Sequence, residues 1–443
     1  MTQTRYDVIA IGNAIVDIMA ASDDATIERL SLNKGGMTLV DADGARRLYD
    51  AMGPAKEISG GSAANTLAGL AALGADCAFI GQVADDQFGR VFAHDIRAGG
   101  IDFDTPARSE AEPPTAQCLI FVTPDAQRTM NTFLGASQYL PAAALDETAI
   151  AAAKVLYLEG YLWDPEEPRA AMRRAIDAAR GAGREVAFTL SEVFVIDRHG
   201  DDFRSLIAEG LIDVLFANHT ELAALTGESE LEAGIAALAG KVPTLVVTCG
   251  AEGATAVRGG ERATVPSVAT TVVDTTGAGD LFASGFLFGH VNGEPLETCL
   301  KRGAICAAEI ISHYGARPEA DLLELVRERH NAGRTTKNGR LSDKEMMVLS
   351  YLAEGKQNKE IANDLKLAEP TIKMHVTSIC KKLSASNRTQ AVIVARDLGL
   401  TEAQLARAEE LQDQLALGIE AFPAGDHPVA ARLAHPPQLM DVV

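Results

Sequence analysis

The stretch DTTGAGDLFASGF, residues 274–286, is the most informative segment of this chain of 443 residues. Gly277 and Gly279 allow the backbone to turn tightly and to approach a ligand closely. The small apolar residues that follow can begin a helix, and the free N–H groups at a helix N-terminus favour a bound anion. The stretch therefore predicts an anion-binding turn at the start of a helix, with Asp280 beside the anion.

The carboxylate of Asp280 gives this turn a chemical use. It follows the two glycines directly, where negative charge would build up, and it can take a proton from an attacking hydroxyl group. Phosphoryl transfer needs little more than positioning and stabilisation of charge. A Gly-rich turn that Asp280 merely caps is the alternative, but the full seven-residue string DTTGAGD favours phosphoryl transfer to an alcohol with Asp280 as the base.

Short β-branched strands alternate with Ala-rich helices over residues 5–327. The predicted strands are residues 5–12, 77–83, 115–123, 155–159, 185–190, 214–217, 244–248 and 255–258. The predicted helices are residues 62–73, 166–182, 220–226, 230–239 and 280–290. This alternation predicts an α/β fold, a largely parallel sheet with helices on both faces. Residues 14–40 and 114–135 lack long helices and are expected to form a small β lid at one edge.

Composition limits the class of protein. Hydrophobic residues make up 47% of the chain, and its six cysteines are scattered without a CxxC pair. That usage predicts a reducing compartment with neither disulfides nor a zinc site. The first residues carry no signal-peptide pattern, and no apolar run reaches the roughly 20 residues of a membrane helix. We therefore expect a cytoplasmic protein without a membrane span.

The charge is distributed unevenly. The whole chain has a net charge of −21, whereas residues 340–400 hold ten Lys/Arg and seven Asp/Glu, a net of +3, which leaves −24 elsewhere. This asymmetry predicts a separate module with a different partner. The expected domains are residues 1–330, a linker at 331–340, a small all-helical domain at 341–400, and a helix with a disordered tail at 401–443.

Together with its neighbours, DTTGAGD resembles the second signature of the ribokinase family, the PfkB-type carbohydrate kinases. The resemblance covers residues 5 to about 327. It implies a ribokinase-like fold, with ATP as the phosphoryl donor. It also implies an anion hole formed by the backbone of Gly277, Ala278 and Gly279, and Asp280 as the base. The other landmarks follow in the family's order: GGSAAN at 60–65, GQVADDQFG at 81–89, NHTE at 218–221 and TCGAEG at 248–253.

The resemblance assigns the nucleotide side as well. The residues implied to bind ATP are Asn218, Thr248, Gly250, Gly253 and, from the lid, Arg128. Glu221 is implied to place Mg²⁺, an ion that prefers oxygen ligands and keeps several waters. Taken alone, Asn218 and Glu221 fit a helix N-cap with a solvated glutamate better, and only their position between two other landmarks favours the phosphate and metal role. Arg128 equally fits an exposed turn. Some relatives need a monovalent cation near Asp274, which the sequence leaves open.

Within the family, the sequence is most similar to adenosine kinases, particularly the bacterial type. The similar segments are GNAIVDI at 12–18, GGSAANT at 60–66, the lid segment at 115–137 and LEGYLWD at 158–164. Asp17 can accept two hydrogen bonds and therefore suits a vicinal diol such as the 2′- and 3′-hydroxyls of ribose. The other substrate residues implied are Asn13, Gly60, Gly61 and Asn65 for oxygens, and Met37, Leu39, Cys118, Phe133 and Tyr161 for an adenine slot. Each of the apolar side chains could equally be core.

Residues 341–400 resemble the LuxR-type DNA-binding domain. Residues 358–362, a short turn and residues 371–376 have helix-turn-helix spacing, and Pro370 suits the first turn of the second helix. In such domains the second helix enters the major groove and flanking cations hold phosphates. The DNA contacts implied are Thr371 and Lys373 in the groove, and Lys359, Lys382 and Arg388 at phosphates. The alternative is a helical domain that no longer binds DNA, for instance one that forms only a dimer contact; the 401–420 helix could also supply dimerisation.

Three hypotheses follow. The first is an adenosine kinase, converting ATP and adenosine to ADP and AMP, that carries a DNA-binding domain. The second is a sugar kinase for ribose or fructose. The third is a transcription regulator whose kinase fold only senses a nucleoside or sugar. The complete DTTGAGD string argues against the third hypothesis, because a sensor does not need to retain the base.

Overall fold

The computed structural model describes residues 4–109, 113–125, 127–335, 341–383, 385 and 387–397. The chain divides into two compact units, Met1–Glu328 and Arg329–Val443. The helix predicted at 401–420 and the tail from Pro423 lie outside the described residues. In the described residues no helix combines the length and the apolar character needed to cross a membrane.

The main sheet of the first unit has nine strands. They are β1 (Tyr6–Ile11), β5 (Cys77–Ile80), β6 (Ile101–Asp102), β9 (Ala153–Glu159), β10 (Glu185–Thr189), β11 (Val214–Asn218), β12 (Thr244–Thr248), β13 (Ala254–Arg258) and β14 (Glu261–Val265). Their order is β14-β13-β12-β11-β10-β9-β1-β5-β6, and every pairing is parallel except β12 with β13 and β13 with β14. The continuous Val, Ile and Leu runs of the central strands suit burial on both faces. The predicted mostly parallel α/β fold is confirmed.

A second sheet of five strands forms the lid. Its strands are β2 (Ile15–Ala21), β3 (Met37–Leu39), β4 (Ala55–Gly60), β7 (Ala116–Val122) and β8 (Arg128–Phe133), in the order β3-β8-β7-β2-β4. β2 follows β1 after only three residues, so one continuous segment carries the chain from the main sheet into the lid. β4 was not foreseen, because its sequence AKEISG has neither an apolar run nor a clean alternation.

Helices cover both faces of the main sheet and pack against the lid. They are α1 (Asp24–Arg29), α2 (Ala42–Ala51), α3 (Ser62–Ala72), α4 (Gln87–Ala98), α5 (Glu147–Ala151), α6 (Glu166–Gly181), α7 (Val193–Ala208), α8 (His219–Thr226), α9 (Leu231–Leu238), α10 (Ala278–Val291), α11 (Leu296–Ile310) and α12 (Leu322–Thr335). One large apolar cluster fills each face, with Trp163 and Phe188 on one side and Phe79 and Phe286 on the other. α12 runs to Thr335, into the segment predicted as a linker.

The second unit contains a compact set of four helices, α13 (Asp343–Ala353), α14 (Asn358–Asp364), α15 (Glu369–Lys382) and α16 (Arg388–Asp397). Its core includes Leu349, Ile361, Ile372 and Ile379, which recur at helical spacing. α14 and α15 are joined by a short turn in which Lys366 adopts a positive φ of 52°. This is the helix-turn-helix arrangement that the sequence predicts.

Candidate active site and DNA-binding module

A cavity of about 500 Å³ lies where the lid meets the carboxyl ends of the main-sheet strands. Its walls are residues that follow or end β1, β9, β10, β11 and β12, the underside of the lid, and the start of α10. This is where open α/β sheets hold their ligands. Many of the predicted site residues line it together: Asn13, Asp17, Met37, Leu39, Gly61, Asn65, Cys118, Tyr161, Asn218, Glu221, Thr248, Gly277, Ala278, Gly279 and Asp280.

Asp280 lies in the first turn of α10, with its carboxylate on the cavity wall. The Ser62 hydroxyl donates to its Oδ1 at 2.6 Å, and the Asn65 amide donates to its Oδ2 at 3.1 Å. Burial raises the pKa of Asp280, while the two hydrogen bonds and the nearby charge of Arg317 lower it. Each oxygen retains a lone pair for a further proton, as a general base requires.

The N-terminus of α10 is open toward the same cavity. Gly277, the N-cap residue, has a φ of 76°, and no side chain caps the helix. Among the described residues, the N–H of Ala278 donates to Thr275 at 3.2 Å, whereas the N–H groups of Gly277 and Gly279 have no acceptor. A Cβ at Gly279 would meet nothing within 4 Å and would project into open space. The turn therefore presents unengaged donors to an anion.

Asp17 faces the cavity from β2 and accepts no hydrogen bond from the described residues. Burial raises the pKa of Asp17 to about 6, against the lowering effect of Arg317 and Arg128. Gly60 gives this carboxylate its space, because a Cβ there would lie 2.4 Å from Asp17 Oδ2. A partly buried carboxylate without a protein donor is costly unless a ligand donates to it. Asp17 is therefore available to accept hydrogen bonds from a ligand in the cavity.

Asn13 and the buried Glu159 form a network beneath the cavity, and Glu159 was not foreseen as a site residue. Glu159 accepts from the Asn13 N–H at 2.7 Å and the Asn13 amide at 2.6 Å, and its other oxygen accepts from the Ala63 N–H at 2.8 Å. Burial raises the pKa of Glu159 to about 7, although these bonds lower it. Ser137 donates to Asn13 Oδ1 at 2.8 Å. The side chain of Asn13 is thus held in one orientation by the protein.

The lid end of the cavity is apolar. Met37 and Leu39 lie on the edge strand β3 and are 44% and 54% exposed, and across the cavity the rings of Tyr161 and Phe194 lie 6.1 Å apart. Phe133 was predicted here but packs into the lid's own core instead. Because side chains alternate along a strand, its neighbour Thr132 faces the cavity and Phe133 faces away.

A second cavity of about 420 Å³ shares Asn218 and Thr248 with the first and includes Gly250. Glu221 and Asn218 form a capping box at the start of α8, where the Glu221 carboxylate accepts from the Asn218 N–H at 2.9 Å and the Asn218 amide at 2.7 Å. Burial raises the pKa of Glu221 to about 7. Gly253 lines neither cavity. It lies in the turn before β13, where an added Cβ would be only 2.1 Å from the carbonyl oxygen of Val265.

Arg128 forms a buried ion pair with Asp274 rather than facing either cavity. Asp274 also accepts from the N–H groups of Thr276 at 3.0 Å and Gly315 at 3.1 Å. The pair links the first residue of β8, in the lid, to the loop before α10. Both oxygens of the Asp274 carboxylate therefore accept hydrogen bonds from the protein.

In the helical module, two of the five residues predicted to contact DNA are held by the protein. Lys382 pairs with the buried Glu345 at 2.6 Å. Arg388 donates to Asn358 Oδ1 at 3.3 Å and to the carbonyl of Lys356. The resemblance that implied a phosphate contact for both cations could not reveal these partners. Of the remaining three, Lys359 on α14 is exposed, Lys373 on α15 is exposed and pairs with Glu369 of the same helix at 3.0 Å, and Thr371 on α15 is partly buried.

Comparison with known proteins assigns both units. The model of the pfkB family carbohydrate kinases matches residues 50–321, more than half of the chain, and that of the luxR family of bacterial regulatory proteins matches residues 339–395. An adenosine kinase from Sinorhizobium meliloti is 46% identical, with a TM-score of 0.68 over 73% of this chain and 99% of its own. A probable sugar kinase from Rhizobium etli CFN 42 is 43% identical, with a TM-score of 0.69 over 74% of this chain and 99% of its own.

A third relative is more distant. A fructokinase from Klebsiella pneumoniae is 31% identical over 246 residues, which are 55% of this chain and 80% of its own length. The nucleoside and sugar kinases among these relatives share the transfer of a phosphoryl group to a hydroxyl. The chain therefore belongs to the pfkB family of carbohydrate kinases, phosphotransferases that bind ATP and act on hydroxyl groups, and it carries a C-terminal domain of the luxR type.

Proposed function

We propose that the kinase unit phosphorylates the 5′-hydroxyl of adenosine, giving AMP and ADP, as a purine salvage enzyme would. One observation carries this proposal: Asp17, without a protein donor, shares a single cavity with the base Asp280 and with an apolar end lined by Met37, Leu39 and Tyr161. A nucleoside offers a diol, a primary alcohol and an aromatic ring in that combination. The 46% identical neighbour that is an adenosine kinase supports the same substrate.

The chemistry follows from the geometry at α10. Asp280 accepts the proton of the 5′-hydroxyl as the oxygen attacks the γ-phosphorus of ATP, and the bond to the bridging oxygen of ADP breaks. The open N–H groups of Gly277 and Gly279 hold the charge of the transferred phosphoryl group. ATP would then extend from this turn into the second cavity, along Thr248 and Gly250. Closure of the lid would exclude water from the transfer.

Mg²⁺ fits beside Glu221 if the carboxylate contacts the ion through metal-bound waters. Both carboxylate oxygens already accept from Asn218, so the residue offers its remaining lone pairs to metal-bound waters rather than an empty ligand position. Such outer contact suits an ion that keeps several waters and binds substrate phosphates. The metal would neutralise phosphate charge. Its proximity would also lower the raised pKa of Glu221 and keep that buried group ionised.

A sugar kinase is the second candidate. The 43% identical neighbour is a probable sugar kinase, and Asp17 would serve the diol of a ribose or fructose equally well. The apolar end of the cavity separates the two candidates, because a free sugar leaves Tyr161 and Met37 without a partner. Purified protein should be assayed for ADP release with adenosine, inosine, guanosine, ribose and fructose. Turnover of fructose or ribose above that of adenosine would overturn the adenosine proposal.

Asp17→Asn is expected to raise KM for adenosine about 10- to 100-fold, because two hydrogen bonds to a charged acceptor are weakened. The same variant should lose discrimination between adenosine and its 2′- and 3′-deoxy forms. Asp104→Asn, at a carboxylate that is 90% exposed, is the matched control and should behave as wild type. An Asp17→Asn protein that still preferred adenosine over both deoxy forms would remove Asp17 from diol recognition.

The pH dependence of KM provides an independent check on Asp17. The pKa of this buried carboxyl is raised to about 6, so the charged form that accepts from the diol is present above that pH. KM for adenosine should therefore rise as the pH falls through 6, and Asp17→Asn should lack this rise. Initial rates between pH 5 and pH 8 measure it. A KM in the wild type that is flat across this range would contradict the assignment.

We propose that the helical module binds DNA through α15. Lys373 is exposed on this helix, with Thr371 two residues earlier, and Lys359 is exposed at the start of the preceding helix. Lys359→Ala in the full chain should weaken binding to a random-sequence duplex and lower the salt slope by about 1, as loss of a phosphate contact does, and Lys373→Ala should also weaken binding. Fluorescence anisotropy at increasing salt measures both quantities. Absence of affinity for any duplex at low salt would favour a module that no longer binds DNA.

A further inference from the structure

Arg317 is a site residue that the sequence did not single out, and its loop is firmly held. The loop joins α11 to α12. Glu309 accepts from the N–H groups of Glu319 and Ala320, both at 2.9 Å, just beyond Arg317. On the other side, the N–H of Gly315 donates to Asp274 at 3.1 Å. The loop is therefore fixed to the catalytic turn and to α11, with Arg317 between the two attachments.

The guanidinium of Arg317 reaches from this loop to the start of α3. It donates to Asn65 Oδ1 at 2.8 Å and to the carbonyl of Ala64 at 3.0 Å. It also donates to the carbonyl and hydroxyl oxygens of Ser59 at 2.6 Å and 2.8 Å. The hydroxyl of Ser59 in turn donates to Asp95 at 2.6 Å. Four hydrogen bonds in a fixed fork leave the guanidinium little freedom.

The contact with Asn65 orients the amide toward the base. An arginine only donates hydrogen bonds, so the atom facing it must be the Asn65 oxygen, and the amide nitrogen must face the other way. That nitrogen donates to Asp280 Oδ2 at 3.1 Å. We infer that Arg317 is a positioning residue for the catalytic base: it fixes the Asn65 amide so that Asp280 is held in one orientation toward the attacking hydroxyl.

The charge of Arg317 acts on the same carboxylate. It opposes the effect of burial, which raises the pKa of Asp280, and it lowers the pKa of Asp17 in the same way. Loss of this charge should therefore raise the pKa of the base. The groups that face Asp280 from the surrounding elements are Ser62, Asn65, Asp17, Glu159, Tyr157, Tyr161 and Arg317. Among these, Arg317 carries the positive charge.

The inference rests on the kinase activity proposed above, and Arg317→Gln in the full chain tests it. We expect kcat to fall about 10- to 100-fold and the acid limb of kcat to move up by about half to one pH unit. The pH dependence of kcat is used rather than that of KM, because kcat describes the complex in which Asp17 is already occupied by substrate. Arg317→Lys retains the charge and should leave the limb in place. Arg204→Gln removes an arginine that donates to the carbonyl of Leu225 at 2.8 Å, and should change neither quantity.

The outcomes separate the positioning role from a structural one and from failure of the proposed function. A lower melting temperature with an unmoved acid limb would mean that Arg317 only stabilises the fold, and the inference would fall. Wild-type kcat and limb in Arg317→Gln would also overturn it. If wild type phosphorylates none of the tested alcohols, the proposed function fails. The acid limb is then measured on ATP hydrolysis, where water replaces the alcohol at the same base, and the same shift is expected.

Discussion

Asp280→Asn should lower kcat for phosphoryl transfer by about 10²- to 10⁴-fold, the range of a general base. An amide cannot accept the proton of the attacking hydroxyl. Its NH₂ group would also face one of the two donors, Ser62 or Asn65, that now contact the carboxylate. KM should change little, because the substrate contacts at Asp17 and the apolar end of the cavity remain. Coupled detection of ADP with adenosine measures both constants.

The fold should survive this substitution. Burial raises the pKa of Asp280, so a neutral side chain at this position removes a cost of keeping the carboxylate charged. The melting temperature is therefore expected to equal or exceed that of wild type. Asp43→Asn is the matched control, since Asp43 is an exposed aspartate in the first turn of α2. Near-normal turnover by Asp280→Asn would remove Asp280 from catalysis.

The Gly-rich turn at the start of α10 could be predicted because its information is local. In DTTGAGD, the positive φ at Gly277, the open helix start and the carboxylate lie within seven residues. The parallel sheet could be predicted equally well, because buried strands of Val, Ile and Leu alternate with helices along the chain. The short strand β4 was missed for the opposite reason: it is a strand because β2 pairs with it, and its own residues give no signal.

The missed and misplaced residues depend on contacts between distant parts of the chain. Arg317 meets Asn65 across 252 positions, and Glu159 meets Asn13 across 146. Arg317 lies in none of the motifs quoted above, and Glu159 lies in LEGYLWD, which gives no sign of its partner Asn13. The sequence placed the cation Arg128 in the lid, as the structure does, but its partner Asp274 is also 146 positions away. A single sequence gives the type of side chain at each position but not which charges will be buried against one another.

Glu345→Ala should destabilise the helical module by about 2–4 kcal/mol. The Glu345 carboxylate is buried and accepts from the Ser378 hydroxyl, the Ser342 N–H and the Lys382 ammonium, each at 2.6 Å. These bonds tie α13 to α15. Removal of the carboxylate leaves the partly buried Lys382 without this partner and loses the capping box of α13. Hydrogen exchange of peptides from α13 and α15 measures the loss in the full chain.

The pH dependence of this stability has a defined sign. Burial alone would raise the pKa of Glu345, but the hydrogen bonds from Lys382, Ser342 and Ser378 together lower it to about 2. A carboxyl with a depressed pKa stabilises the fold above its ordinary value near 4.3, and that contribution is lost as the pH falls toward 2. Protection of α13 and α15 should therefore decline across that window in wild type. In Glu345→Ala the decline should be smaller.

Lys373→Ala is the control, because Lys373 pairs with Glu369 one turn away in an exposed contact worth about 0.5 kcal/mol or less. Equal exchange in Glu345→Ala and Lys373→Ala would show that the Glu345 cluster does not stabilise the module.

The same comparison distinguishes two ways in which a variant can lose affinity for DNA. Lys382→Ala should weaken DNA binding by loosening α15, with faster exchange, whereas Lys373→Ala should weaken it through the salt-dependent contact alone, with exchange unchanged. With that result, Lys382, which the resemblance implies at a phosphate, would affect DNA affinity through the stability of α15.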